Sequence, residues 1–290
     1  MRAPMNSKLF EGKIMDGKKV AHSILLRLKE KIKKMETPPL LSIVLCGEDL
    51  ASKVYVSMKQ KKAQEIGINA KIYELPANVS EEELSKSIKE LNLSSDGVMI
   101  QLPLPKHLDV KKILEYINPE KDVDGLTPTS LGKLMQGDEL LAPATPKAVI
   151  RLLENYNIEL RGAHVTIINR SSLIGKPLSL MLLQRGATVT VCHKSTKNIM
   201  KHTSSSEIVI SAVGIPEFIK GPMIMPGAVV IDVGITKDKG KVKGDVDAIS
   251  VLEKAKYISP VPGGIGPMTI AMLLETLVEL KFQKLSTSEK

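Results

Sequence analysis

Tryptophan is absent from this chain and phenylalanine occurs only three times. So small a stock of flat side chains leaves little platform on which nucleic-acid bases stack. Cysteine occurs twice, at Cys46 and Cys192, each closing an expected strand and far from the other in sequence. The two read as small buried hydrophobes in a reducing compartment, neither a disulfide nor a metal pair. The five histidines are scattered without ligand spacing, so no metal site is expected. No stretch approaches the ~18 uninterrupted apolar residues of a membrane span, and Met1 to Lys19 lacks the apolar core of a signal peptide. A soluble, cytoplasmic protein without a membrane partner is the expectation.

The 290 residues present exceed the ~250 that one core usually serves, which argues for two domains. Hydrophobic residues at 43% and charged residues at 25% are ordinary for a globular enzyme. Lys and Arg number 41 against 32 acids, an excess of +9 that suits nucleic acid or an anionic small ligand. The lysines are interleaved with acids along expected helices, as at Lys29, Lys31, Lys53, Lys61 and Lys86, so no nucleic-acid partner is expected.

Apolar strands alternate with amphipathic helices. Helical periodicity spans Val20 to Met35, followed by a strand over Leu40 to Cys46 and a helix from Ser52 to Ile66. A strand over Ala70 to Leu75 precedes a helix from Ser80 to Leu91, with Ser80 and Glu83 as a capping box. Gly97 to Gln101 reads as a buried strand, then Val110 to Ile117 and Ser130 to Gln136 as helices. Thr145 reads as an N-cap with Pro146 at the first helical position, a hinge into a second unit. There the rhythm restarts, with strands over 163–168, 188–192, 207–212 and 228–233 and a helix from Pro177 to Arg185. The prolines and glycines of 260–267 break the chain before a closing helix, Met268 to Leu280, too apolar to stay exposed and expected to return to the first domain. Leu285 to Lys290 reads as a disordered end. Such alternation argues for parallel, doubly wound sheets.

Three stretches carry chemistry. Around the helix after Ser52, Tyr55, Val56, Ala63 and Ile66 form an apolar stripe, and Lys59 falls in its middle. A lysine there loses hydration, which lowers its pKa toward general-base range; the plainer alternative is a stem that packs while the ammonium reaches water. Gln101 follows the Gly97 strand and precedes Leu102-Pro103-Leu104-Pro105, so its amide sits at the carboxyl end of a strand, where open α/β sheets bind ligands. About twenty residues on, Glu120, Lys121, Asp122 and Asp124 crowd a loop ending in Gly-Leu-Thr-Pro. Second, the turn from Asn169 through Arg170, Ser171, Ile174 and Gly175 to Pro177 joins a strand to a helix start, whose free N–H groups make an anion site. It lacks the G-x-G-x-x-G fingerprint; Asn169 tolerates a left-handed backbone in place of a glycine, and Arg170 with His193, Lys194 and Ser195 supplies charge and donors for a dinucleotide with an extra phosphate. Third, Pro260 to Pro267 holds three glycines between prolines, allowing backbone close to a flat ligand.

With these residues in place, the chain resembles the bifunctional methylenetetrahydrofolate dehydrogenase/methenyltetrahydrofolate cyclohydrolase family over nearly its whole length. The motifs are Tyr55-Val56-Ser57-Met58-Lys59, Gln101 to Pro105, Lys121 to Gly125, Pro143 to Pro146, Asn169 to Pro177 and Pro260 to Pro267. The resemblance implies an α/β fold of two three-layer domains with a cleft between them. One is a parallel-sheet catalytic domain, residues 1–145 completed by 267–290; the other is a Rossmann-like dinucleotide-binding domain, 146–266. It implies a homodimer, NADP ahead of NAD as cofactor, and tetrahydrofolate derivatives, with or without a polyglutamate tail, as substrates. By the family pattern Lys59 is the catalytic lysine, Gln101 keeps it competent, Asp124 holds the pteridine and Tyr55 stacks on the folate. Leu102, Pro262, Gly263 and Gly264 also line the substrate. Asn169, Arg170, Ser171, Ile174, Gly175, His193, Lys194, Ser195, Gly214 and Ile235 hold the cofactor. Two departures bear on the NADP preference: members commonly carry Gly where Asn169 stands, and the donors after Cys192 vary. Another small-acid dehydrogenase is the alternative enzyme, but it leaves Gln101-Leu-Pro-Leu-Pro and the Pro-Gly-Gly turn unexplained.

Overall fold

The structure is a computed structural model that describes residues 12–238 and 241–288. From the amino end, α1 (Gly17–Ile32) leads into β1 (Leu40–Cys46), where every residue but the first is buried. Next comes α2 (Leu50–Glu65), which starts two residues before the expected Ser52 because Asp49 caps it, accepting from the Ser52 N–H at 2.7 Å. β2 (Asn69–Leu75) and α3 (Glu81–Ser94) follow, and α3 carries both halves of the expected Ser80–Glu83 box. β3 (Gly97–Ile100) is buried throughout; α4 (Val110–Glu115) and α5 (Pro128–Met135) complete the series. The three strands are parallel in the order β2-β1-β3. α2 packs on β1 and β2, and α3 on β3. Between them Val44, Leu84, Ile88, Val98, Ile100 and Ile113 form a core with almost no exposure. Each such side chain withdrawn from water contributes ~1.5–3 kcal/mol.

The rhythm then repeats. α6 (Ala144–Asn155), β4 (His164–Ile168), α7 (Gly175–Gln184), β5 (Thr188–Cys192), α8 (Ile199–Thr203), β6 (Ile208–Ser211) and β7 (Val229–Asp232) are followed by a small hairpin, β8 (Thr236–Asp238) with β9 (Lys241–Lys243). α9 (Ala248–Leu252), β10 (Tyr257–Ile258) and the long α10 (Ile265–Ser288) close the chain. The second sheet is parallel with order β10-β7-β6-β4-β5. Its sequence order reverses between β4 and β6, the point at which doubly wound sheets bind ligands. The expected strands over 163–168, 188–192, 207–212 and 228–233 are all present within a residue of their ends, whereas the short β8, β9, β10, α8 and α9 were not anticipated.

Thr145 is not an N-cap. α6 begins at Ala144, which puts Thr145 inside the first turn, with its hydroxyl 3.3 Å from that of Thr269. The closing helix likewise begins before the expected Met268 and runs on through Ser288. The expected disordered end is therefore helical to Ser288, and residues 289–290 lie outside those described. Among the described residues no helix is long and apolar enough to cross a membrane. Both cysteines are free and buried.

The described chain divides into two compact units, one holding the residues up to Ala21 with Thr145–Thr269, the other His22–Ala144 with the chain from Ile270 on. The expected bounds put the residues before 22 in the other domain. Backbone pairing is why they differ: Met15 N–H donates to Ile258 O at 2.8 Å, Ile258 N–H to Lys13 O at 2.9 Å, and Lys18 N–H to Gly263 O at 3.0 Å, so the segment extends the five-stranded sheet past β10.

Candidate functional site

In the unit built on β2-β1-β3, Lys59 shares the buried face of α2 with Ser52, Val56 and Ala63 and is only 4% exposed. Its ammonium does not snorkel. Nζ donates to Gln101 Oε1 at 3.0 Å, lies 3.7 Å from Met99 Sδ, and sits 4.8 Å from the centre of the Tyr55 ring. Burial holds its pKa below the ordinary lysine value, and the nearby Asp124 carboxylate opposes that only in part. Gln101, one residue beyond β3, has no freedom to turn its amide over. Its Nε2 donates to Leu102 O at 2.6 Å, which commits the carbonyl to the lysine, while its backbone N–H donates to Val44 O.

Asp124 keeps part of its surface open, yet burial pushes its carboxyl above the usual range; Lys59 pulls it down and Asp122 adds to the rise. Burial, with a smaller contribution from Asp124, drives the Tyr55 phenol up to about 12, so it stays neutral and a donor. The loop that presents Asp124 is tied by Asp122, which is fully buried. Its carboxylate accepts from Gly125 N–H at 2.9 Å, Thr127 N–H at 2.8 Å and Ser130 Oγ–H at 2.7 Å. Gly125 itself takes φ +70°, and a Cβ there would lie 2.3 Å from Leu141 O, so no other residue fits the turn. Structure thus brings Tyr55, Lys59, Gln101, Leu102 and Asp124 into one unit. Pro262, Gly263 and Gly264 fall in the other, where Gly263 O accepts from Lys18 and Gly264 N–H donates to Pro260 O at 2.8 Å.

The cofactor candidates all lie in the unit of the five-stranded sheet. Asn169 follows β4 at the switch point, and its side chain organises the turn: Nδ2 donates to Ala212 O at 2.6 Å beyond β6, and Oδ1 accepts from Ser171 N–H, Ser171 Oγ–H and Gly175 N–H. The left-handed backbone expected of Asn169 is not adopted; among the described residues the positive-φ residues other than glycine are Asn157, Asn198 and Glu217. Nor are the N–H groups at the start of α7 all free for an anion. Gly175 donates to Asn169, Ile174 to Ser171 Oγ at 3.1 Å and Lys176 to Ser171 O. A Cβ on Gly175 would lie 2.0 Å from Asn169 O, which explains the glycine. The charge around the turn comes instead from the exposed Arg170 and Lys194, with His193 N–H held by Thr196 Oγ1 and Ser195 N–H by His193 Nδ1. Gly214, with open space where a Cβ would be, and the exposed Ile235 complete a surface of donors, cations and bare backbone. That donor set fits a phosphate-bearing dinucleotide.

Sequence reading missed two buried aspartates beneath these loops. Asp245 accepts from Ser211 Oγ–H at 2.9 Å, Val213 N–H at 2.6 Å and Ile215 N–H at 3.0 Å, so it shapes the loop carrying Gly214. Asp232, at the end of β7, accepts from Gly234, Asp245 and Val246 N–H groups, and burial raises its pKa to about 6. The available signal was an acid ending an otherwise apolar strand, Val229-Val230-Ile231-Asp232.

Comparison with known proteins points the same way. The profile of the tetrahydrofolate dehydrogenase/cyclohydrolase catalytic domain matches residues 15–124, and that of the NAD(P)-binding domain of the same family matches 143–285. The chain is 49% identical over 278 residues to the bifunctional protein FolD of Thermodesulfovibrio yellowstonii, covering 93% of this chain and 97% of the relative. The crystal structure of the bifunctional FolD methylenetetrahydrofolate dehydrogenase/cyclohydrolase of Campylobacter jejuni superposes with a TM-score of 0.91 at 41% identity, covering 93% and 99% of the two chains. The Trypanosoma brucei dehydrogenase-cyclohydrolase, solved with NADP and an inhibitor, gives 0.90 at 36% identity and covers 94% and 98%. From its lysine-bearing helix to its dinucleotide-type sheet, the chain belongs to the tetrahydrofolate dehydrogenase/cyclohydrolase family.

Proposed function

We propose that this chain oxidises 5,10-methylenetetrahydrofolate to the 5,10-methenyl compound with NADP and hydrolyses that product to 10-formyltetrahydrofolate, Lys59 acting in both steps at the pterin. The observation that carries the reading is a buried lysine, its pKa lowered, hydrogen-bonded to a glutamine carbonyl that cannot turn away. NADP, when bound, supplies the hydride acceptor. Its phosphates are assigned to Arg170, Ser171 and the His193–Ser195 loop, and its close approach to Gly175, Gly214 and Ile235. Folate is assigned to the unit that holds Lys59, with Asp124 hydrogen-bonding the pteridine and the neutral Tyr55 phenol packing against it. Pro262 to Gly264 supply further substrate contacts.

Hydride transfer asks the chain mainly for orientation of two flat rings. Hydrolysis asks for more, a water deprotonated near neutral pH as it adds to the methenyl carbon. Neutral Lys59 takes that proton, and the Asp124 carboxylate then faces the ammonium it has become. A homodimer in the cytoplasm, acting on substrates with or without polyglutamate tails, completes the proposal.

The test follows nicotinamide reduction with methylenetetrahydrofolate, separately with NADP and NAD, then the loss of methenyl absorbance. Reduction is expected with NADP ahead of NAD, and Lys59→Met is expected to slow hydrolysis by roughly 10²–10⁴-fold. Hydrolysis persisting at the parent rate would show that another group is the base.

A further inference from the structure

At the amino-terminal edge of the three-stranded sheet lies a cavity of about 320 Å³. Asp96 on its wall precedes β3, whereas Gln101 follows that strand, which puts the two ends of the segment roughly 16 Å apart at ~3.3 Å per residue. This cavity is therefore separate from the Lys59 cluster. Four lysines line it, Lys121, Lys133, Lys281 and Lys284, against two acids, Asp96 and Glu120. Asp96 is already committed: Lys281 Nζ lies 3.0 Å from its carboxylate, and its Oδ2 also accepts from Leu40 N–H at 2.9 Å. Lys121 donates to Ser95 O, a neutral acceptor, and Asp96 and Glu120 are the acids that act on its charge. Leu141 and Leu280 provide apolar wall.

The geometry points to a binding site for a small ligand bearing two or more closely spaced negative charges, of the phosphate or polycarboxylate class, seated among Lys121, Lys133, Lys281 and Lys284. Cationic excess in a concavity is unfavourable unless a counter-charge fills it. Lys121 registers that strain, its pKa lowered by burial and then by Lys284, with Lys281 adding to the effect against Asp96 and Glu120. Ammonium groups act as compact point charges and suit phosphate oxygens or carboxylates without demanding a planar fork. The volume fits one small ligand. Lys121 also stands three residues before Asp124 on one turn, so an occupant would touch the segment that presents Asp124.

The test titrates inorganic pyrophosphate into the full chain with NADP held at saturation, so that the dinucleotide's phosphate contacts are filled. It reads heat together with the backbone amide shifts of Lys121, Leu141 and Lys281. One saturable site is expected, with shifts at those three residues and an affinity that falls as salt rises. Lys133→Ala with Lys284→Ala is expected to weaken binding tenfold or more, whereas Lys29→Ala with Lys34→Ala, on the outer face and end of α1, leaves it unchanged. A parallel titration with citrate separates the sources: binding as tight as pyrophosphate assigns a polycarboxylate, and failure to bind assigns a phosphate. Absence of both binding events, shifts confined to other residues, or equal affinity in the Lys133/Lys284 variant overturns the site.

Discussion

Individual side chains show where stability has been exchanged for chemistry. The Lys59 ammonium meets a glutamine carbonyl, a thioether and a ring. Because its folded pKa lies below its unfolded value, the unfolded chain binds the extra proton, and stability rises with pH across the interval between the two. Lys59→Met is therefore expected to raise the unfolding free energy at neutral pH by ~1–2 kcal/mol while it slows hydrolysis. A variant less stable than the parent would mean that the lysine is better solvated than its surroundings imply. Asp232 has the opposite sign. Its folded pKa of about 6 lies above the ordinary 3.8, so the native chain keeps a proton that the unfolded chain releases. That contribution is present in full below pH 3.8 and is lost as pH rises through about 6, roughly 3 kcal/mol for a shift of this size. Denaturant unfolding of wild type and Asp232→Asn, whose amide stays neutral throughout, should give a constant gap below pH 3.8 that shifts against the wild type as pH rises through about 6; parallel curves would remove the assignment.

Elements were legible in kind and displaced in their starts. Proline next to a helix was read as the first helical position or as a break before it, yet Pro146, Pro177 and Pro267 each occupy the third position of α6, α7 and α10. None of the first N–H groups of a helix needs an acceptor within it, so the third position accommodates proline as well as the first does. The Asn169 turn shows a second kind of displacement. A residue chosen for backbone freedom works instead through its amide, which ties β4 to the β6 end and accepts from the Gly175 N–H at the start of α7. Asn169→Gly is expected to raise the KM for NADP about tenfold, the loss of ~1.4 kcal/mol, with kcat for the saturated enzyme nearly unchanged. A change in kcat with the KM intact would place Asn169 in the chemistry and not in the shaping of the turn.

For the whole molecule, the closing helix is a structural part of the Lys59 unit. Leu273, Leu274 and Leu277 are fully buried, a Cβ on Gly97 would sit 2.7 Å from Leu277, and Lys281 pairs with Asp96 at 3.0 Å. Ending the chain at Thr269 is accordingly expected to leave residues 22–144 without cooperative unfolding, read by hydrogen exchange at the β1 amides. Protected β1 amides in the shortened chain would show that the three-stranded sheet stands without α10.

Sequence by itself determined the parallel α/β class, the longer strands β1 to β7 and the face of α2 on which Lys59 lies, because hydrophobic period is a local property that burial obeys. It also marked Gln101 and Asp124, through the motifs that ended strands and filled loops. Tertiary structure alone decided which way the Gln101 amide points, that Asp122, Asp232 and Asp245 serve as buried acceptors for loop N–H groups, and that the stretch around Met15 pairs with β10. Lys59 lies 42 residues from Gln101, Ser211 lies 34 from Asp245, and Ile258 is far along the chain from Met15. Asp122 and Asp232 find their N–H groups within 14 residues but only once the loops have folded; no spacing along the chain encodes which N–H a carboxylate will meet.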